Sequence, residues 1–273
     1  MTSDPHGLDP VRPAYFDAYA TIAFTRTADG VLLIRLHSDD GPVRYGSTHH
    51  NDWSHAFGDV AADRGNRVVV ITGTGDSFVA AHSSWDEPLD RALDYDRATI
   101  RHPRIYRSLL EIDAPVIAAV NGPCFYHSQV PLLSDIVLAA DTTVFGDGYL
   151  PGSTDPTSEW PPSLGEPATD GNHVLWLELL GQIRGTYFLL TSHRLTAVEA
   201  RHLGVVNEIW PLPELLPRAL ELAHQLATYA DLTLRFQRRA FTDRWRRLFA
   251  DRIGIAHAML MRTQVDLDRR AMP

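Results

Sequence analysis

Three short apolar runs constrain this chain most: Arg67–Thr72 (RVVVIT), Pro115–Val120 (PVIAAV) and Asp135–Ala139 (DIVLA). None of them alternates apolar with polar, and they are rich in β-branched and small residues. Each therefore predicts a strand buried on both faces, as in a parallel sheet. Helical periodicity fills the intervals at 51–63 and 96–112, and again near 173–180, 184–191 and 196–203. Val205–Ile209 predicts one more short strand, and from Pro213 onward the pattern is mostly helical. Upstream, the β-like runs Thr21–Thr25 and Val31–His37 are split by Ala28-Asp29-Gly30, a hairpin signal. Strands alternating with helices predict an α/β fold with a mainly parallel sheet. Residues 1–15 are rich in Pro, Asp and Gly and predict a flexible N-terminal arm. The stretch 148–170 carries five prolines in 23 residues, too long for an ordinary connection. It reads either as a functional loop or as a surface insertion.

Composition removes several kinds of chemistry. The 25 basic residues against 34 acidic ones give a net charge of −9, and every basic residue is arginine. Without lysine there is no Schiff-base aldolase, no pyridoxal-phosphate lysine and no P-loop lysine. The acidic balance argues against nucleic acid or anionic membrane as partner. Cys124 is the single cysteine, so an internal disulfide framework and a multi-cysteine metal site are both excluded. The opening MTSDPHGLDPVRPAYF has no apolar core of a secretory signal, and no apolar run approaches the ~20 residues of a bilayer span. The expectation is a soluble cytoplasmic protein. The pairs Arg238-Arg239 and Arg246-Arg247 read as solvated helix faces or subunit contacts.

Gly73-Thr74-Gly75 follows a predicted strand, but Phe78 stands where a dinucleotide fingerprint needs a small residue. The turn still delivers residues 76–85 to the carboxyl edge of the sheet, where α/β folds bind ligands. His82 and Trp85 are thus candidate substrate contacts. Among thirteen histidines, His50, His82 and His127 sit where strands hand over to loops. His6, His193, His202 and His224 read as ordinary surface or core residues. No His-Glu-x-x-His spacing suggests zinc, and no Gly-x-Ser-x-Gly elbow suggests a hydrolase serine. Histidines acting as acid, base or oxyanion donor remain. Asp170, opening Asp170-Gly171-Asn172-His173 before an apolar helix, reads equally as a helix cap and as a chemical group. Cys124 reads as a packing residue.

The runs RVVVITGTGDSF, APVIAAVNGP, SDIVLAADTTVFGDG and RLTAVEARHLGVVNEI, over roughly residues 18–228, resemble the crotonase (enoyl-CoA hydratase/isomerase) superfamily. The resemblance implies a spiral of ββα units: a core over 16–210 and a C-terminal helical trimerisation region over 211–273. It implies trimers or dimers of trimers. It also implies an oxyanion hole of two backbone N–H groups, from the segment after Phe78 and the loop around His127. The coenzyme A pattern is altered, however. Ala80-Ala81-His82-Ser83 replaces Ala-Gly-Ala-Asp, and Tyr126-His127-Ser128 replaces a Gly-Gly-Gly run. Where hydratases carry catalytic glutamates, this chain has Gln129-Val130 and the Gly148–Pro151 region. That argues against ordinary hydration of an enoyl-CoA.

Four further stretches, STHH, NGPCFYHSQVPLLSDIVLAA, DGNHVLW and RGTYFLLTS, resemble the β-diketone hydrolases related to oxocamphor hydrolase. These crotonase homologues cleave a carbon–carbon bond by a retro-Claisen reaction without coenzyme A. Three polar family positions carry over as candidate catalytic residues, His50, His127 and Asp170, and Tyr45 carries over as a pocket aromatic. The resemblance implies no cofactor, and because no arginine cluster falls in the matched site segments the expected substrate is an apolar cyclic ketone. His127 would donate to the enolate oxygen, His50 would hold His127 in orientation, and Asp170 would serve as the base for water. Two family positions depart. The histidine that pairs with the aspartate is missing from Phe145-Gly146-Asp147-Gly148-Tyr149-Leu150, and Ala258 replaces a glutamate. His82, Glu159 and Glu166 are candidate substitutes. The alternatives are a lyase, isomerase or cyclase acting on a ketone or polyketide intermediate, a coenzyme A thioester hydratase or isomerase, and a binding module without catalysis.

Overall fold

A computed structural model describes residues 12–83, 92–148 and 166–271. The strands are β1 (Ile22–Arg26), β2 (Val31–Leu36), β3 (Arg44–Tyr45), β4 (Val68–Thr72), β5 (Ala81–His82), β6 (Val116–Val120), β7 (Ile136–Ala140), β8 (Val144–Phe145), β9 (Leu195–Thr196) and β10 (Glu208–Trp210). The helices are α1 (Ser47–Ala62), α2 (Ala92–Glu111), α3 (Gln129–Leu132), α4 (Asn172–Leu180), α5 (Gln182–Leu190), α6 (Ala197–His202), α7 (Leu212–Ala227) and α8 (Asp231–Ala271). A six-stranded sheet runs in the order β1-β2-β4-β6-β7-β10. Only the β1–β2 pair is antiparallel, closed by the turn in which Gly30 takes φ +84°, a conformation glycine adopts without strain. The expected α/β class with a mainly parallel sheet is what the chain adopts.

Strands β4 and β6 are buried at all five positions, because both faces of the sheet are covered. Leu32, Ile34, Val69, Ile71, Val116, Ala118 and Val120 face the larger core shared with α1 and α2. The alternate residues Val68, Val70, Ile117, Ala119, Leu138 and Ala140 face α7. There Leu215, Ala219, Ala223 and Ala227 recur every four residues, one stripe whose small side chains let the helix lie close to the sheet. Two smaller pairs, β3 with β5 and β8 with β9, lie outside the main sheet.

Three expectations change. Helix α1 begins at Ser47, four residues before the periodic stretch, so His50 sits in its first turn and not at a strand end. The N-terminal arm is anchored by its last residues: Ala14–Asp17 form a 3-10 turn, and the Tyr15 hydroxyl donates to Asp63 Oδ2 at 3.0 Å. The arginines of α8 are not all solvated. Arg238 is 1% exposed, with its Nε 2.7 Å from Asp135 Oδ2, and Arg246 donates to the carbonyl of Leu110. The Arg238–Asp135 and Arg235–Asp113 pairs fasten α8 just ahead of β7 and β6, and Arg246 fastens it to the last turn of α2. Among the described residues, no helix is long and apolar enough to cross a membrane.

Candidate active site

The site forms at the carboxyl ends of β4 and β6, whose following loops are latched together by one side chain. Asn121 Nδ2 donates to the carbonyls of Gly75 and Ser77, both at 2.9 Å, and its Oδ1 accepts from the Gly73 N–H at 3.0 Å. Gly122, at φ +155°, passes so close to Asp76 that a Cβ there would sit 1.8 Å from its carbonyl oxygen. The loop then places His127 at φ +50°, a left-handed conformation that is strained for a non-glycine residue. Among the described residues the His127 N–H has no partner, while its carbonyl accepts from Val130 N and so starts α3.

Four further elements bring side chains to His127. The parallel β3–β5 pairing sets Tyr45 opposite His82, with ring centroids 5.2 Å apart. Tyr45 lies over His127 at 3.8 Å between centroids, and Trp53, from α1, meets the same imidazole edge-on at 6.0 Å. The rings of His82 and His127 are nearly parallel at 6.3 Å. Helix α2 presents His102 and Tyr106, four residues apart and therefore on one face. The Tyr106 hydroxyl is 3.1 Å from His127 Nδ1 and 3.2 Å from His102 Nε2. His102 Nδ1 is 3.3 Å from His50 Nε2, and His102 Nε2 is 3.0 Å from the backbone oxygen of Asp170.

Asp170 lies one residue before Gly171, the N-cap of α4. Its Oδ1 accepts from the Asn172 N–H at 3.1 Å. Its Oδ2 accepts from Gln129 Nε2 at 3.2 Å, inside the buried cluster. Asn172 in turn bridges Ser128 and Asp147. From α8, His257 stacks on His102 with centroids 4.5 Å apart.

Burial dominates the electrostatics. It lowers the pKa of His49, His50, His102 and His127 from the ordinary imidazole value, pushes His82 down to about 3 and His257 to about 2. For His102 the Asp170 carboxylate pulls in the opposite direction, although burial prevails. Tyr45 and Tyr106 are raised by burial and then by Asp170, so both phenols stay protonated. The centre is therefore a buried set of neutral imidazoles and phenols beside the Asp170 carboxylate. Among the described residues, no group of three His, Cys, Asp or Glu side chains could hold a metal ion.

His50, His127, Asp170, Tyr45 and His82 all belong to this cluster. Trp85 and Glu159 lie outside the described residues, and Glu166 is buried at the edge of that gap. His50 does not touch His127 as expected from the resemblance: His102 and Tyr106 stand between them. Sequence reasoning missed His102, Tyr106, His257, Gln129 and Trp53. The i, i+4 spacing of His102 and Tyr106 inside a helical stretch was the available signal. What hid it was that nothing in the sequence says which face of α2 meets the loop after β6.

The enoyl-CoA hydratase/isomerase family profile matches residues 27–272. A β-diketone hydrolase from the cyanobacterium Anabaena sp. PCC 7120, solved with (S)-3-oxocyclohexyl acetic acid, has a TM-score of 0.83 and 35% identity over 94% of this chain and 99% of that one. An enoyl-CoA hydratase/isomerase from Mycobacterium paratuberculosis shares the fold, with a TM-score of 0.76 and 21% identity over 89% and 93% of the two chains. Among curated proteins, the 2,3-dehydroadipyl-CoA hydratase of Escherichia coli K12 is 29% identical over 183 residues, 66% of each chain. The probable mitochondrial enoyl-CoA hydratase of Dictyostelium discoideum is 27% identical over 174 residues, 63% of this chain and 57% of its own. The match thus spans less than two thirds of these curated relatives. With a profile covering nearly its whole length, the chain belongs to the enoyl-CoA hydratase/isomerase family, the crotonase superfamily.

Proposed function

We propose that this protein hydrolyses a carbon–carbon bond of a cyclic β-diketone by a retro-Claisen reaction, without coenzyme A. The observation that carries the reading is the shared burial of a neutral His127 and the Asp170 carboxylate. Tyr106 and His102 link His127 to the backbone carbonyl of Asp170, in a chain 35% identical to a β-diketone hydrolase.

The reaction needs two groups. Asp170 takes a proton from water as its oxygen adds to one carbonyl carbon. The bond between that carbon and the central carbon then breaks, and its electron pair moves onto the second carbonyl as an enolate. His127 donates a hydrogen bond to the enolate oxygen, where charge develops. The central carbon takes up a proton, so that diketone plus water becomes one keto acid. Tyr45, His82 and Trp53 surround His127 with aromatic surface, which suits an apolar ring and keeps competing water away.

A second reading has an observation of its own. The curated relatives are named for coenzyme A thioesters, and a thioester enolate would use the same donor. Incubation with monocyclic and bicyclic β-diketones in ¹⁸O-labelled water, with no coenzyme A added, separates the two by product mass. A keto acid carrying one ¹⁸O is the expected result. Unchanged mass with deuterium exchange at the α-carbon would replace hydrolysis with isomerase, lyase or cyclase chemistry. Tight coenzyme A binding with inert diketones would favour the thioester reading.

A further inference from the structure

We propose that His102 and Tyr106 are positioning residues that fix which ring nitrogen of His127 carries the proton, with the backbone carbonyl of Asp170 as the point that sets the whole chain. The proposal deepens the reading above, and its first test does not depend on catalysis.

A carbonyl oxygen can only accept a hydrogen bond. His102 Nε2, 3.0 Å from the Asp170 oxygen, must therefore carry a proton. In a neutral imidazole the other nitrogen is then a lone pair. His102 Nδ1 consequently accepts from His50 Nε2 at 3.3 Å. The same His102 Nε2–H faces the Tyr106 oxygen at 3.2 Å, so that oxygen accepts there. A phenol has one proton, and it is left to point at the remaining neighbour, His127 Nδ1, at 3.1 Å. His127 Nδ1 accepts, and its proton sits on Nε2.

The reverse polarity, with a proton on His127 Nδ1, would leave either the buried Tyr106 proton without an acceptor or a His102 lone pair facing the Asp170 carbonyl. In the latter case two acceptors would lie 3.0 Å apart in a buried site. An unmade hydrogen bond of that kind disfavours one tautomer by roughly fivefold to a hundredfold. The consequence is chemical. A neutral His127 with its proton on Nε2 is a hydrogen-bond donor at the ring nitrogen that makes no hydrogen bond to a described residue. With the proton on Nδ1, that nitrogen would be an acceptor and would repel an enolate oxygen.

The test is ¹⁵N spectroscopy of the full chain labelled at histidine, with the His127 signals assigned by their loss in His127→Gln. The expected spectrum has an unprotonated Nδ1 and a protonated Nε2 at neutral pH. Tyr106→Phe should shift His127 toward the other tautomer. His102→Leu should do the same, whereas His102→Gln, which keeps an N–H donor toward the Asp170 carbonyl, should hold the native tautomer. A native His127 protonated on Nδ1, or a tautomer unmoved by Tyr106→Phe and His102→Leu, overturns the proposal. Where the diketone reaction is observed, Tyr106→Phe should lower kcat about tenfold with KM unchanged, less than the 10²–10³ typical of deleting an oxyanion donor. If the native enzyme cleaves no diketone, the functional reading fails, and the tautomer result decides this inference by itself.

Discussion

His257 of the last helix stacks on His102, the two rings inclined by 21° with centroids 4.5 Å apart. Two imidazoles so placed, both buried, repel as soon as both are protonated. The contact ties the C-terminal helix to the centre of the site and makes its seating depend on neutral histidines.

Stability should therefore fall in mild acid. Burial depresses His49, His50, His82, His102, His127 and His257, while the unfolded chain titrates near 6.5. Below about 6.5 the unfolded state binds more protons than the folded one, so stability decreases as pH falls and is level above that value. His82 and His257, at about 3 and about 2 when folded, remain neutral at pH 5. Each such group costs at most about 2 kcal/mol at that pH. Urea midpoints at pH 8, 6.5 and 5 check this, and equal midpoints at pH 8 and pH 5 would contradict it.

Replacing His127 with alanine should lower kcat for diketone cleavage by about 10²–10³, the usual loss for a donor to a developing oxyanion. Steady-state kinetics with the substrate found by product mass measures it. Retention of full turnover would remove His127 from the mechanism.

Asp170→Asn should reduce turnover by about 10²–10⁴, as for loss of a positioned base. It should also destabilise the fold by about 1–3 kcal/mol. The carboxylate accepts from both Gln129 and Asn172, and an amide offers only one acceptor oxygen to those two donors. Kinetics and chemical denaturation of the same variant separate the two effects. A variant with normal stability and no activity would assign Asp170 to chemistry alone.

Gly122→Ala should destabilise by upwards of about 3 kcal/mol, since its φ of +155° is unfavourable for alanine and the new Cβ would meet the Asp76 carbonyl. Thermal unfolding checks this against Gly204→Ala, where φ is also positive but nothing lies within 4 Å. Similar losses in both variants would mean that conformation alone, not the crossing of the two loops, requires glycine at 122.

The parallel core was legible in the residues themselves. RVVVIT, PVIAAV and DIVLA run apolar through their interiors without alternation, as a doubly covered strand does, and they became β4, β6 and β7. The loops after β4 and β6 were legible as the site edge for the same reason. His127, Asp170, Tyr45 and His50 came from motif resemblance and His82 from its place after the turn at the sheet edge, and all five lie in the buried cluster.

Sequence alone determined the strand order's raw material, the family and these five residues, because apolar periodicity and local motifs are short-range properties. Tertiary structure decided how they are joined. His50 and His127 are 77 positions apart and are joined by hydrogen bonds through His102 and Tyr106, which reach both histidines when α2 packs across α1 and α3. His257 joins them because α8 packs on α2 and is fastened by Arg235 and Arg238 to Asp113 and Asp135. Such contacts are fixed by which helix faces meet in the core, and that depends on the packing of every element at once.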